Sequence, residues 1–524
     1  MLSALIWVPI VAAAIVGFWP GNLTAKTTKQ FSLIVTAIVL ILSLALVSQF
    51  NVLDSNQQFV ESLPWIDALG LTYQLGVDGL SLPLVIINSL LTLVALYATQ
   101  DDIRRPRFYY SLVLVLNGAV TGAFVAQDLL LFFLFYELEI IPLYFLIAIW
   151  GGVRRGYAAT KFLIYTALSG ILILASFLGL VWLTHSPTFA YGSLRPIGET
   201  FAGIASGSFP TSALPITTQL VLTIGILIGF GIKIPLVPFH TWLPDAHVEA
   251  STPISVLLAG VLLKLGTYGL MRFGLGLFPE AWAILAPWLA SWAVFSVLYG
   301  ALNAIAQTDM KKMVAYSSIG HMGYILLATA AATPLSLLAT VFQMVSHGLI
   351  SALLFILVGV VYHKTGTRDI QVLRGLLNPE RGLPVIGSLM IVAVMASAGL
   401  PGMIGFIAEF LIFRGSYPVF PTQTILCMVG TGLTAVYFLL LVNKAFFGRL
   451  SEEFSNLPPV SWSDRAPAIV LAAIIVFLGL QPNWMVRWSD ATTASLIILP
   501  QIHATKTSPS AKPLQAPQLS QIGG

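Results

Sequence analysis

Long apolar runs dominate this chain, and they limit its possible folds more than any other feature. A membrane-spanning helix needs roughly 20 consecutive apolar residues. The runs are continuous rather than alternating in polarity, which is typical of helices and not of a membrane β-barrel. The sequence therefore predicts an all-α integral membrane protein of about fourteen spans. The runs lie near residues 2–20, 31–50, 80–99, 108–126, 128–149, 161–184, 217–239, 253–273, 281–302, 315–331, 335–361, 383–414, 423–447 and 466–482.

The composition supports the same class of protein and excludes others. Only 9% of the 524 residues are charged and the mean hydropathy is +0.90, whereas soluble domains are about 25% charged. The sequence pI is near 9.0, but no run of five basic residues exists, so we expect lipid contact and no nucleic-acid partner. The single cysteine, Cys427, lies in an apolar run and cannot build an iron–sulfur cluster alone. We expect this chain to bind no cofactor or metal, and any redox centre to belong to other subunits.

The loop charges predict how the chain lies in the membrane. Seventeen lysines and arginines fall in loops on one side and six on the other. Cytoplasmic loops are the ones enriched in these residues, so both termini are predicted on the non-cytoplasmic side. The first basic residue, Lys26, follows the first apolar run, so this run is predicted to be a retained span rather than a signal peptide. Residues 501–524, rich in Pro, Ser and Gln, are predicted to be disordered.

Two spans carry residues that interrupt a helix. The seventh contains Pro235 and Pro238, and the twelfth contains the stretch 399–403 (GLPGM). Proline removes a backbone donor and breaks the helix. Each broken span also carries a charge, Lys233 or Glu409, and the two charges are 176 positions apart. This arrangement is typical of inverted repeats in transporters. It divides the chain into three N-terminal spans (1–104), two five-helix repeats (105–275 and 281–448), a last span with its flanks (449–500) and the tail (501–524).

Several ionisable side chains lie within spans, where each costs about 2.5 kcal/mol or more and is a functional candidate for that reason. The alternatives are structural ion pairs and snorkelling of lysine to the interface, and a histidine can also be a hydrogen-bonded structural residue. We expect a lysine whose acidic partner can approach or withdraw to act as a proton switch. The candidates are Glu137, Glu139, Lys233, Lys264 and Glu409, with His321 and His347 as possible relays.

Two details of this set lead to specific expectations. Glu137 and Glu139 would point about 200° apart on a regular helix, so only one of them is expected to face the interior path. The other is expected to face a neighbouring span or subunit. A loop with His240 and His247 superficially suggests a metal site, but Pro244 between them gives no tight pairing. We expect this loop to cap the broken seventh span.

Four stretches of the sequence resemble the antiporter-like membrane subunits of complex I. They are 76–83 (GVDGLSLP), 136–142 (YELEIIP), 233–247 (KIPLVPFHTWLPDAH) and 309–318 (DMKKMVAYSS). Within that group the chain is most similar to chain 4, which carries a glutamate on the broken twelfth span, as Glu409 does here. The doubled acid in 136–142 is similar to the cyanobacterial and plastid form.

The resemblance implies a proton-translocating subunit of a redox-driven NAD(P)H or ferredoxin:plastoquinone oxidoreductase in a thylakoid membrane, with lumenal termini. It implies partner membrane subunits, including two sister antiporter-like subunits, and a complex that uses iron–sulfur clusters and plastoquinone outside this chain. It assigns the proton path to Glu137, Lys233, Lys264 and Glu409, with His321 and His347 as relays. On this assignment we expect Glu137 to approach Lys233 and Glu139 to point to the other face. Two alternatives stay open: a subunit of a Mrp-type Na⁺/H⁺ antiporter, and a structural subunit whose buried charges only bind neighbours.

Overall fold

The computed structural model describes residues 1–21, 23–195, 214–454 and 456–496. The predicted disordered tail lies outside these residues, as does most of the stretch 185–216 between the sixth and seventh apolar runs. Helices fill most of the described chain, and each of the fourteen apolar runs contains at least one. The helices are Leu2–Phe18, Ala25–Gln49, Leu82–Tyr97, Pro106–Val125, Leu129–Leu138, Ile140–Trp150, Arg155–Leu183, Tyr191–Leu194, Ile216–Lys233, Trp242–Glu249, Thr252–Leu275, Pro279–Ile305, Met310–Ala331, Pro334–Thr365, Pro384–Ser397, Ile404–Ser416, Pro421–Ala445, Trp462–Leu480 and Asn483–Ser495.

Ten spans in the described part of the chain are long and apolar enough to cross a membrane, one of them formed by the adjoining helices Leu129–Leu138 and Ile140–Trp150. Three further helices, Leu2–Phe18, Leu82–Tyr97 and Pro384–Ser397, are apolar but shorter. The prediction of a multi-pass helical membrane protein is confirmed, and the count of fourteen spans stays a prediction.

Residues 51–79, between the second and third apolar runs, contain a β-hairpin. Strands Gln58–Ile66 and Leu71–Val77 pair antiparallel. β-branched and aromatic residues in both strands favour this pairing. The connection ends at Gly70, whose φ of 66° is readily adopted only without a side chain. Sequence reasoning missed the hairpin because it searched for apolar runs long enough to span a membrane, and both strands are shorter than that.

Both predicted helix interruptions are present. Helix Ile216–Lys233 ends where the two prolines begin, and the chain resumes helical structure only at Trp242. Helices Pro384–Ser397 and Ile404–Ser416 are separated by a turn in which Gly399 and Gly402 have φ values of 74° and 92°. Left-handed backbone at both glycines is accessible because they lack a Cβ atom.

Two helices form the centre of the bundle. Residues 253–275 of helix Thr252–Leu275 are all buried, and helix Pro334–Thr365 packs against helices from both halves of the chain. Helix Thr252–Leu275 contains π-helical turns at Leu258–Leu262 and Leu270–Leu275, a feature that often accompanies functional sites. These central helices carry Lys264 and His347, so the fold places both side chains far from lipid.

Candidate proton path

The first part of the site is a buried ion pair between Lys233 and Glu139. Lys233 lies in the last turn of helix Ile216–Lys233, and its ammonium contacts the Glu139 carboxylate. Their side chains are 1% and 0% exposed. The Tyr136 ring centroid lies 4.8 Å from Lys233 Nζ and adds a cation–π contact. The pair is therefore removed from solvent. In this buried position, either charge without the other would be strongly unfavourable.

The broken helix holds Lys233 in place because its free carbonyls find other donors. The Ile232 carbonyl accepts a hydrogen bond of 2.8 Å from the Trp242 indole. The Gly231 carbonyl, four residues before Pro235, accepts one of 2.9 Å from the Leu236 N–H. Buried carbonyls without partners would destabilise the fold, so these contacts stabilise the interruption beside the lysine.

The contact of Lys233 with Glu139 corrects the expected pairing with Glu137. Helix Leu129–Leu138 stops before Glu139, whose backbone N–H turns back to the carbonyl of Glu137. Pro142 cannot donate to the carbonyl of Leu138, four residues earlier, and the regular helix ends there. The 200° separation assumed an unbroken helix, and this assumption was wrong. Pro142 in the sequence was the signal that could have revealed the break.

Glu137 nevertheless lies close to the pair. Its carboxylate packs against helix Arg155–Leu183, where a Cβ atom at Gly170 would fall 1.8 Å from Glu137 Oε1. This oxygen is buried and has no hydrogen-bond partner in the described part of the chain. Its charge acts on Lys233 without direct contact. The first half of the site thus contains two acids and one base, with Glu139 in contact and Glu137 nearby.

Lys264 occupies the centre of the bundle and is fully buried. Its Nζ atom lies 2.5 Å from the Ala259 carbonyl oxygen, which accepts a hydrogen bond, and 2.7 Å from His347 Nδ1. Ala259 belongs to the first π-helical turn, so the widened helix supplies one hydrogen-bond acceptor for the Lys264 ammonium. No carboxylate contacts Lys264 among the described residues, and its proton is therefore held by a neutral carbonyl and an imidazole alone.

The second half of the site is a chain of two histidines and one acid. The rings of His347 and His321 have centroids 5.5 Å apart. His321 Nδ1 lies 3.6 Å from Glu409 Oε1, and its Nε2 lies 3.1 Å from the Ser397 hydroxyl at the end of the first half of the broken helix. Glu409 accepts a hydrogen bond of 3.0 Å from Thr431. All of the ionisable groups are nearly inaccessible to solvent.

A small cavity runs along this second half. Its volume is about 10 Å³, which is room for one water molecule. His321, His347 and Glu409 line it together with Gln343 and polar serines. Water in such a cavity can bridge donors and acceptors that are too far apart for direct proton transfer. Gln343 was missed by sequence reasoning because a lone amide in a span carries no charge signal.

The two halves adjoin without direct polar contact. A Cβ atom at Gly266 would meet the Lys233 Cβ atom at 3.2 Å, so the broken helix packs directly on the Lys264 helix. No hydrogen bond or ion pair links Lys233 to Lys264 in the described ranges. Proton movement between them therefore needs a mobile side chain or water.

Two cations that were placed in loops are buried instead. Arg272 lies inside helix Thr252–Leu275 and its Nη2 atom is 2.6 Å from Asp78 Oδ2, with both side chains at most 2% exposed. Burial alone would raise the pKa of Asp78, but the Arg272 guanidinium beside it lowers the pKa below its usual 3.8. Lys311 is 4% exposed and donates to the Ala250 carbonyl. Lys311 was misplaced because helix Met310–Ala331 begins before the apolar run 315–331, whereas Arg272 was counted as a loop residue although it lies near the end of the run 253–273.

The histidine-containing loop does not gather metal ligands. Its residues have separate partners: Asp245 pairs with Lys161 at 2.8 Å, Glu249 with Arg154 at 3.8 Å, and the His247 ring stacks on Phe355. Within the described residues no group of three His, Cys, Asp or Glu side chains is placed to hold a metal ion.

Comparison with known proteins agrees with this geometry. Residues 126–434 match the family model described as "NADH:quinone oxidoreductase/Mrp antiporter, TM", which covers more than half of the chain. The chain belongs to this family. It is 37% identical to NAD(P)H-quinone oxidoreductase chain 4 of Prochlorococcus marinus, over 99% of this chain and 94% of that protein. It is 38% identical to NAD(P)H-quinone oxidoreductase chain 4 1 of a Picosynechococcus strain, over 100% of this chain and 95% of that protein.

Solved structures give the same result for the fold. A chain of respiratory complex I from Thermus thermophilus superposes with a TM-score of 0.83 and 26% identity, covering 95% of this chain and 99% of that one. A chain of the Mrp complex from a Dietzia strain gives 0.78 and 25%, covering 94% of this chain but 52% of that one. The resemblance to chain 4 of the complex I group, drawn from four motifs, is thereby confirmed.

Proposed function

We propose that this chain is a proton-translocating, antiporter-like subunit of a redox-driven NAD(P)H or ferredoxin:plastoquinone oxidoreductase. The observation that carries the proposal is two adjoining groups of buried ionisable side chains: Glu139 with Lys233, and Lys264 with His347, His321 and Glu409. Burying so many charges is unfavourable for a protein that needs them only for packing. A role in proton transfer explains why the chain carries these buried charges.

The proposed chemistry depends on whether the Lys233 ammonium is in contact with the Glu139 carboxylate. While Glu139 contacts Lys233, the carboxylate stabilises the ammonium. When a conformational or electrostatic change in a neighbouring subunit separates them, the unpaired ammonium in a dry site releases its proton towards Lys264. His347 and His321 carry the proton on to Glu409, which lies beside the second helix break. Glu137 remains a candidate that tunes Lys233 through its charge.

The wider assignment comes from relatives and loop charges. We propose fourteen spans with both termini in the lumen of a thylakoid membrane, organised as two inverted five-helix repeats. The partners are the other membrane subunits of the complex, including two sister antiporter-like subunits. The complex uses iron–sulfur clusters and plastoquinone. With Cys427 as its single cysteine, this chain leaves the redox chemistry to its partners.

A Mrp-type Na⁺/H⁺ antiporter subunit is the alternative, and the similarity to the Mrp chain favours it to some degree. Two observations rank it lower. The chain aligns with about half of that Mrp chain, but with 94% or more of the two cyanobacterial relatives described above. Glu409 on the second broken span also matches the chain 4 pattern.

Purification of the tagged chain from its native membrane separates the two functions. We expect a complex that contains iron–sulfur proteins and reduces plastoquinone, and that acidifies the vesicle lumen during turnover without a requirement for Na⁺. A complex without redox centres that exchanges Na⁺ for H⁺ would instead establish the Mrp assignment.

A further inference from the structure

Four phenylalanine rings from four different helices form a buried cluster on one side of the Lys233–Glu139 pair. Each of these side chains is at most 1% exposed; they are Phe132, Phe177, Phe230 and Phe273. Phe273 lies at the centre of the cluster, since the centroids of the other three rings are 4.6 to 6.4 Å from its own. Phenylalanine has no side-chain donor or acceptor, so these rings offer no hydrogen bond to a water molecule.

One end of the cluster borders the first half of the site. The Tyr136 ring, which contacts Lys233, has its centroid 5.9 Å from that of Phe230. The Phe230 ring packs on the helix of Lys264 at Gly269, where a Cβ atom would fall 2.2 Å from the ring. Any larger residue at this glycine would displace the ring, so the packing at this end of the cluster is close.

The other end of the cluster borders the buried pair of Arg272 and Asp78. The rings of Tyr191 and Tyr268 lie over the Arg272 guanidinium, with centroids 5.5 Å and 5.3 Å from its Cζ atom. Phe273 follows Arg272 in the same π-helical turn, so the ion pair with Asp78 also holds the turn that carries Phe273. In the topology proposed above, this end of the cluster faces the lumen.

The second half of the site is built from different side chains. Its cavity is lined by polar groups that include His321, Gln343 and Glu409, which can hold water and accept a proton. A charge among apolar rings has no such partner and is strongly unfavourable. The phenylalanine cluster is therefore a barrier to protons, whereas the second half of the site offers them water and acceptors.

We propose that Phe273 is the central residue of a seal that isolates Lys233 from the lumen. A pump cannot connect one buried group to both sides of the membrane at the same time, because protons would flow back down their gradient. The phenylalanine cluster excludes the water that would carry a proton between Lys233 and the lumen. The inference rests on the proposed function, because a seal is needed only if Lys233 carries protons.

The test is how long vesicles that contain the purified Phe273→Ser complex retain a proton gradient. Quinone reduction first acidifies the vesicle lumen, an inhibitor of quinone reduction then stops turnover, and a pH-sensitive dye follows the decay of the pH difference. Serine is small and polar, so water should enter the cluster. The proton leak through the complex should then rise by ~10²-fold, since hydrocarbon disfavours a charge by roughly this factor.

Two control variants distinguish a seal from general packing. Phe273→Leu keeps the position apolar, and an apolar cavity stays dry, so its gradient should decay at the wild-type rate. Phe446→Ser makes the same substitution at another fully buried phenylalanine, which lies outside the cluster at the end of helix Pro421–Ala445. Its gradient should also decay at the wild-type rate.

A further variant covers the case in which Phe273→Ser does not assemble. Phe273→His then replaces it, because an imidazole keeps a ring in this position but can carry a proton, and the leak should again rise. Wild-type decay in the assembled Phe273→Ser complex, or in Phe273→His where it is the replacement, would overturn the proposal. Equally fast decay in Phe273→Leu or Phe446→Ser would also overturn it.

The seal and the proposed function fail in different ways. If the wild-type complex forms no proton gradient during quinone reduction, the proposed function fails and the seal fails with it. If the wild-type complex forms a gradient and the assembled Phe273→Ser complex retains it equally well, the function stands and the phenylalanine cluster serves packing alone.

Discussion

Replacing Glu139 by glutamine tests the corrected assignment of the first ion pair. The substitution keeps the size of the side chain but removes the carboxylate that contacts Lys233, where both side chains are at most 1% exposed. Breaking a buried pair by removing one partner costs about 3–5 kcal/mol. With 1.36 kcal/mol for each factor of ten, the charged state of Lys233 becomes ~10²- to 10⁴-fold less populated. Lys233 then cannot be protonated again after it releases its proton, and proton pumping through the first half of the site stops.

Glu137→Gln is the matched control, since it makes the same chemical change two residues earlier. Glu137 does not contact Lys233 and acts on it only at a distance. We therefore expect a smaller loss of pumping for Glu137→Gln than for Glu139→Gln. The ranking is the reverse of the one predicted by the geometry of an unbroken helix.

The assay compares proton uptake with quinone reduction in vesicles that contain the purified complex. Native gels establish that each variant assembles, so that a pumping defect is not a folding defect. Full proton uptake in an assembled Glu139→Gln complex would refute the reasoning. So would a larger loss for Glu137→Gln than for Glu139→Gln, because it would place the functional pair at the non-contacting acid.

Three further outcomes are expected. Asp78→Asn leaves Arg272 unpaired, so the complex should lose about 3–5 kcal/mol of stability, seen as a lower Tm. The Asp78 pKa in the folded protein is below 3.8, so the native pair contributes stability above that pH. This contribution is lost as the pH falls through the folded pKa. A reporter fused within loop 363–381 should lie in the cytoplasm, and a lumenal reporter would reverse the topology. Glu409→Gln should reduce proton release without reducing assembly, and normal release would remove Glu409 from the path.

The sequence predicted the class of fold and most members of the site because both depend on simple energetics. Lipid requires long apolar helices, and a charge inside such a helix is conspicuous, so Lys233, Lys264 and Glu409 could be selected without a structure. The two helix interruptions were predictable since proline and glycine break helices for local reasons. The family resemblance, confirmed by its relatives, added the same residues independently.

The parts that could not be predicted depend on contacts between distant segments. The partner of Lys233 was missed because a helical-wheel argument assumes a regular helix, whereas the helix is interrupted at Glu139, before Pro142. Arg272 was misplaced because its partner, Asp78, comes from a segment between a hairpin and a helix.

The central claim is that the buried ionisable groups carry protons. In this account, protons that move between the two halves of the site must pass through Lys264. The most direct measurement is the number of protons taken up per quinone reduced by the reconstituted complex, with Lys264→Met compared with Lys444→Met at an exposed position. The account predicts an assembled Lys264→Met complex with a lower proton yield and a Lys444→Met complex with the wild-type yield. An unchanged yield in assembled Lys264→Met would contradict it.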